Sequence, residues 1–256
     1  MDFTIKLFIF IYGLLLGSFY NVVGLRLPNG ESIVYPGSHC PNCNHKLKWY
    51  ENIPLFSFIF LKGKCKECKT KISIMYPLIE FLTGSLFLIC YLLFGFSEQF
   101  WIGIVLASLV VIIFVSDSKY MIILDSPLII SSILILLLKY LYNGFDSVWK
   151  SLLSGLLVFG VMYLLMLLGN FLFKKESLGG GDIKLSFVAG LALGPSLGLF
   201  YVFLGAFLAL PYALYTTIKN KEHMLPFGPF LATSMLLIYY NLETFTNFLN
   251  LLLGLK

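Results

Sequence analysis

Charge is what this chain lacks. Only 12% of its 256 residues are Asp, Glu, Lys or Arg, where a soluble chain carries about a quarter. Hydrophobic residues make up 59%, and the mean hydropathy is +0.89. A water-soluble domain this apolar would not stay dispersed, so lipid is the solvent that suits it. Arginine is almost missing, since Arg26 is the only one. No basic stripe with interleaved aromatics is present, which excludes a nucleic-acid surface of the usual kind. The H-E-x-x-H pair of a zinc peptidase, a P-loop and a G-x-G-x-x-G dinucleotide turn are all absent. No Ser or Cys with an activating base suggests itself, and no internal repeat or low-complexity tract stands out. A basic n-region is missing too, Lys6 being the only base before Arg26. The first apolar stretch, Phe3 to Leu25, is therefore expected to be a retained membrane span rather than a cleaved signal.

What is present is a series of apolar runs, at 3–25, 75–94, 100–116, 121–141, 151–173, 183–194, 197–218 and 229–252. They predict an all-α polytopic membrane protein of about eight transmembrane helices. The run 183–194 is too short for an upright span and ends at Gly194-Pro195, which predicts a short or tilted helix pinned at a tight turn. With the N-terminus outside and the sides alternating, 14 of the 18 bases fall on the inner side, eight of them between residues 26 and 75. This positive-inside bias predicts a multi-pass protein of the bacterial cytoplasmic membrane, with segment 26–75 in the cytoplasm. The expected organisation is a first helix over 1–25, a small cytoplasmic domain over 26–75, and a membrane-embedded domain over 76–256.

Within 26–75, Cys40-Pro-Asn-Cys43 and Cys65-Lys-Glu-Cys68 form two C-x-x-C pairs separated by 21 residues. Two thiolates so spaced clip one face of a tetrahedral metal, and the second pair closes the other. A structural zinc site on Cys40, Cys43, Cys65 and Cys68 would also staple a segment too small for a core of its own. Disulfides are the competing reading, disfavoured in a reducing cytosol. His39 and His45 flank the first pair and are expected to be solvated loop residues. Cys90 lies in an apolar run and is expected to serve packing.

Among the acids, Glu98, Asp146 and Glu243 fall near the outer ends of runs, where solvated charge costs little. Asp117 and Asp182 instead lie beside spans on the predicted cytoplasmic side, and carboxylates near hydrocarbon mark function or a specific partner. Asp182 follows three glycines, Gly179-Gly180-Gly181, which permit close approach of another chain. It could equally N-cap the next helix. Asp117 and Asp125 flank the boundary between two runs, and both could be caps or interfacial anchors. Two Asp side chains brought together from two such loops would share one proton. One would then activate water as the other donates to a peptide carbonyl.

At this point the chain resembles the bacterial type IV prepilin peptidase family (aspartic peptidase family A24). The likeness lies in Gly17-Ser18-Phe19-Tyr20-Asn21-Val22-Val23 with Arg26 and Pro28, and in the four cysteines. It continues in Glu51-Asn52-Ile53-Pro54-Leu55 and in Tyr76-Pro77 with Glu80. It ends in Gly179-Gly180-Gly181-Asp182-Ile183-Lys184-Leu185, where Gly179 and Gly181 fit the two glycines of the family's G-x-G-D block. The resemblance implies Asp117 and Asp182 as the catalytic pair, supported by Gly179, Gly181, Lys184 and Asp125. Leu124 stands where the family usually has Pro before that last Asp. The resemblance further implies prepilin or pseudopilin substrates at the cytoplasmic membrane face. It also implies a second activity, N-methylation of the new N-terminus with S-adenosylmethionine, with which Gly63 is associated. An ion-coupled transporter would instead place acids near the bilayer midplane in paired halves. A non-catalytic assembly factor would use the zinc-stabilised loop as a docking module.

Overall fold

In hydrocarbon no water is at hand for an exposed backbone, so a spanning chain must satisfy its own hydrogen bonds as helix. The computed structural model, which describes residues 2–174, 178–220 and 226–254, meets this demand with ten helices among the described residues. They are α1 (Asp2–Arg26), α2 (Phe56–Phe60), α3 (Met75–Phe94), α4 (Glu98–Tyr120), α5 (Asp125–Asn143), α6 (Phe145–Phe173), α7 (Gly180–Leu193), α8 (Pro195–Asn220), α9 (Gly228–Tyr240) and α10 (Leu242–Leu253). Six of them, α1, α3, α4, α5, α6 and α8, are long and apolar enough to cross a membrane.

Two of the apolar runs fold differently from a plain span. The run at 183–194 becomes α7, of 14 residues. Gly194 at φ +80 turns the chain there, and Pro195 opens α8 at the first helical position, where its missing N–H costs nothing. The run at 229–252 is not one helix. It breaks at Asn241 into α9, of 13 residues, and the amphipathic α10, of 12. Asn241, Glu243 and Asn247 interrupt the apolar pattern in this stretch. Of the bases used to assign sides, Lys175, Lys221 and Lys256 lie outside the described residues.

The chain divides into two compact units, Met1–Gly95 and Phe96–Lys256. In the first, α1 packs along α3 at backbone distance. A Cβ at Gly13 would stand 2.7 Å from the Cα of Gly84, and one at Gly17 would stand 2.8 Å from the Cα of Glu80. Small residues four apart replace side-chain interdigitation with direct backbone approach, the usual route to helix pairing in lipid. In the second unit, α6 and α7 meet the same way, with Gly190 against Ser154 and Gly155. The buried core of this unit centres on α4, α7 and α9, which carry Leu106, Ile113, Leu185, Leu191, Leu231 and Met235 at 0–1% exposure.

Gly17→Val should separate α1 from α3 and destabilise the first unit by about 1–3 kcal/mol, the cost of overpacking. Thermal unfolding of the detergent-solubilised protein should show a lower midpoint, with Gly37→Val, a site with nothing within 4 Å, unchanged.

Candidate active site and metal centre

The loop between α1 and α3 is built on two matching turns. In the first, the Cys40 N–H donates to the His45 carbonyl at 2.9 Å and the Asn44 N–H to the Cys40 carbonyl at 2.9 Å. In the second, the Cys65 N–H donates to the Thr70 carbonyl at 2.9 Å and the Lys69 N–H to the Cys65 carbonyl at 3.1 Å. Asn44 and Lys69 both take the left-handed conformation that closes such a turn. The two turns bring the four sulfurs within 4.8 Å of one another.

Cys40 Sγ lies 3.7 Å from Cys68 Sγ, and Cys43 Sγ lies 3.9 Å from Cys65 Sγ. Four sulfurs at about 2.3 Å from a central metal stand about 3.8 Å apart, whereas a disulfide holds them at about 2.0 Å. The donor set therefore fits a tetrahedral ion, and none of the four is in a disulfide. The Thr70 side chain and backbone pull the Cys68 thiol down to about 5, toward the thiolate a metal needs. The His45 backbone acts to lower the Cys43 thiol, but desolvation and the three neighbouring sulfurs outweigh it and move it the other way, to about 11.

Neither loop histidine belongs to the sulfur cluster, and neither is merely solvated. His39 Nδ1 sits 3.0 Å from the Gly37 carbonyl. His45 Nε2 sits 3.0 Å from Glu51 Oε2, which also accepts from the Lys48 N–H at 2.9 Å. That backbone donor foremost, with His45 and Lys66 adding, holds the Glu51 carboxyl below its ordinary range. Glu51 thus ties the first turn to the segment leading into α2. Gly63, at φ +65, lies in the turn after α2, where an added Cβ would meet the Phe58 ring at 3.0 Å. Cys90 is fully buried in α3.

The second unit holds the two aspartates. α4 runs past Asp117 to Tyr120 and is closed by Met121 in the left-handed conformation, its N–H donating to the Asp117 carbonyl. Asp117 therefore lies one turn inside the helix, 5% exposed. Asp182 lies in the first turn of α7, 8% exposed, and Gly179 rather than Asp182 occupies the capping position. Both carboxylates face one cavity of about 350 Å³, lined also by Met121, Ile122, Ile123, Gly179, Gly180, Gly181, Phe227 and Gly228.

Asp125 is placed apart from them. It opens α5 behind Leu124 without capping the helix through its side chain. Its two oxygens, exposed to solvent, instead accept from Lys184 Nζ at 2.7 and 2.8 Å. A helix-capping role for Asp125 does not hold. The exposed pair ties the start of α5 to α7 one half-turn beyond Asp182.

Sequence reasoning missed Gly228. Its N–H donates to Asp117 Oδ2 at 3.0 Å. The signal was Pro226-Phe227-Gly228-Pro229, a glycine between prolines at the start of an apolar helix, but none of these side chains bears reactive chemistry. The glycines also explain themselves sterically. A Cβ on Gly181 would stand 2.7 Å from Ile123 Cβ. One on Gly228 would stand 2.8 Å from Ile123 Cδ1 and 2.9 Å from Asp117 Oδ2. One on Gly179 would come within 3.1 Å of Asp182 Oδ2, while one on Gly180 would meet nothing within 4 Å.

A polytopic helical chain with two buried carboxylates on one cavity is the arrangement of an aspartic peptidase set in a membrane. Comparison with known proteins carries this further, and the chain belongs to the type IV leader peptidase family. Residues 104–214 match the model of that family, and residues 11–94 match the bacterial peptidase A24 N-terminal domain. The chain is 37% identical to the prepilin leader peptidase/N-methyltransferase of Bacillus subtilis, over 90% of this chain and 92% of that one. It is 32% identical to the protein of the same name from Neisseria gonorrhoeae, over 90% and 88% of the two chains. With that of Vibrio cholerae it shares 30% identity over 95% and 99%. No solved structure matches the chain.

Gly181→Ala and Gly228→Ala should each lower peptidase activity on the order of 100-fold, because a displaced Ile123 or Asp117 would reshape the cavity that both carboxylates line. Gly180→Ala should stay near wild type. A cleavage assay on membranes at matched protein level compares the three.

Proposed function

We propose that this protein cleaves the leader peptide of type IV prepilins or pseudopilins with Asp117 and Asp182, and that it N-methylates the residue thereby exposed. The observation that carries the first part is the pair of buried carboxylates on one cavity. Held in the same poorly solvated space, they carry one proton between them. The charged partner takes a proton from water as its oxygen adds to the scissile carbonyl carbon, and the other gives its proton to the carbonyl oxygen. The C–N bond then breaks as the leaving nitrogen takes a proton back. The Gly228 N–H fixes one Asp117 oxygen, leaving the other for this work. Asp125 and Lys184 act outside the cavity, by holding the starts of α5 and α7 together.

Methylation rests on the activity for which the similar proteins are named, with S-adenosylmethionine as donor, and the association of Gly63 with that step rests on the family resemblance alone. For the metal centre we read zinc, held by Cys40, Cys43, Cys65 and Cys68 as a structural ion of the 26–75 segment, with no part in the peptidase chemistry. Segment 26–75 and the mouth of the aspartate cavity are assigned to the cytoplasmic face on the placement of the bases, with eight spans in the cytoplasmic membrane. Short α7 and α9 then count as spans beside the six longer ones. A transporter reading is disfavoured, since the similar proteins are peptidases and the two acids meet on one cavity rather than in paired halves.

Asp117→Asn and Asp182→Asn should each abolish leader cleavage without loss of folded protein, and Asp125→Asn should keep much of the activity. A prepilin cleavage assay on the three at matched expression is decisive. Activity in Asp182→Asn would end the aspartyl mechanism, and a dead Asp125→Asn beside an active Asp117→Asn would move the first acid. Metal analysis of the purified chain should find about one zinc per protein, reduced in Cys43→Ser, and chelation should lower the thermal midpoint.

A further inference from the structure

The sequence of α2, Phe56-Ser57-Phe58-Ile59-Phe60, is almost wholly apolar, yet it sits in the most lysine-rich segment of the chain. On a single helical turn, positions 56, 59 and 60 share a face. All three are exposed, Phe56 at 56%, Ile59 at 67% and Phe60 at 80%. Phe58 points elsewhere, onto Gly63, and closes the turn that leads to Cys65. The helix therefore has one face used by its own unit and one bare face of three large apolar side chains.

What covers that bare face follows from Glu80. The backbone N–H of Leu55, the residue before α2, donates to Glu80 Oε2 at 2.9 Å. Glu80 is the sixth residue of α3, about 7.5 Å along the axis from its start. Because α3 is long and apolar enough to span a membrane, α2 is pinned beside the end turns of a spanning helix rather than beyond them. At this level α3 itself turns Leu78 and Phe81 outward, 52% and 56% exposed. The bare face of α2 is thus continuous in level with a surface that lipid must cover. Exposed Lys62 and Lys64 follow directly. Aromatic and aliphatic side chains bordered by lysine are the composition of a membrane–water boundary.

We propose that α2 is an interfacial anchor, its Phe56, Ile59 and Phe60 face inserted at the boundary between lipid headgroups and acyl chains, with Lys62 and Lys64 at the level of anionic headgroups. The anchor fixes the four-cysteine segment against the bilayer surface. It depends on α3 spanning the membrane and not on the peptidase reading.

The experiment uses the full chain in lipid discs of phosphatidylcholine and phosphatidylglycerol. Trp49, Trp101 and Trp149 are replaced by Phe, and Phe60→Trp supplies the single fluorophore, with Ile59→Trp as a second reporter. Emission should be shifted to the blue and fall by at least half when the lipids carry bromine near the glycerol end of the acyl chain, while aqueous acrylamide has little effect. Emission typical of water, quenched by acrylamide and untouched by brominated lipid in both reporters, overturns the proposal. So does a reporter shielded from acrylamide only after a helical prepilin is added, which would make the face a protein-docking surface instead. Zinc content equal to that of the parent chain shows that each reporter variant has kept its fold.

Discussion

Ile123 stands between two glycines, and the aspartate site depends on that contact. Its side chain fills the space that a methyl group on Gly181 or on Gly228 would need. The short link between α4 and α5 can therefore lie against the start of α7 and the start of α9 at once. Asp117 comes from the helix before this link, and Asp182 follows Gly181 directly in the first turn of α7. Larger residues at 181 or 228 would hold the three segments apart and leave the carboxylates on separate surfaces. The charge that lipid penalises is tolerated because the backbone closes around it, down to the Gly228 N–H on Asp117.

Much of this was legible in the amino-acid order, for identifiable reasons. Helices in lipid need long apolar runs, so 75–94 could be read off almost to the residue. The cysteine pairs were legible because metal geometry demands a fixed spacing, and the sulfurs do assemble. The break at Asn241 was not legible, because single polar residues also occur inside true spans. Gly228 was invisible for a deeper reason. It contributes a backbone N–H, which every residue but proline possesses, so nothing in its type announced the role. Asp125 misled as a cap, because a residue's place at a helix start is set locally while its partner, Lys184, lies 59 residues away.

The first unit solves a different problem, that of ordering a small polar segment without a core. Its two cysteine turns are closed by the same pair of backbone hydrogen bonds, and Glu51 and Glu80 then tie the intervening chain at Lys48 and at Leu55. Both carboxylates accept backbone N–H groups that no regular element would have satisfied. This accounts for two acidic positions in the family-like segments that have no need of catalytic chemistry.

The shortness of α7 has a consequence for where hydrolysis can happen. Its 14 residues reach about 21 Å, against a hydrocarbon core of about 30 Å. Were Gly194-Pro195 to turn the chain at one membrane surface, the other end, which carries Asp182, would stop short of the opposite surface. Both acids would then lie below the level of the headgroups. A substrate held by its own membrane helix would then have to unwind its first turn to bring a peptide bond to that depth, which would favour segments that are extended just where a hydrophobic helix begins.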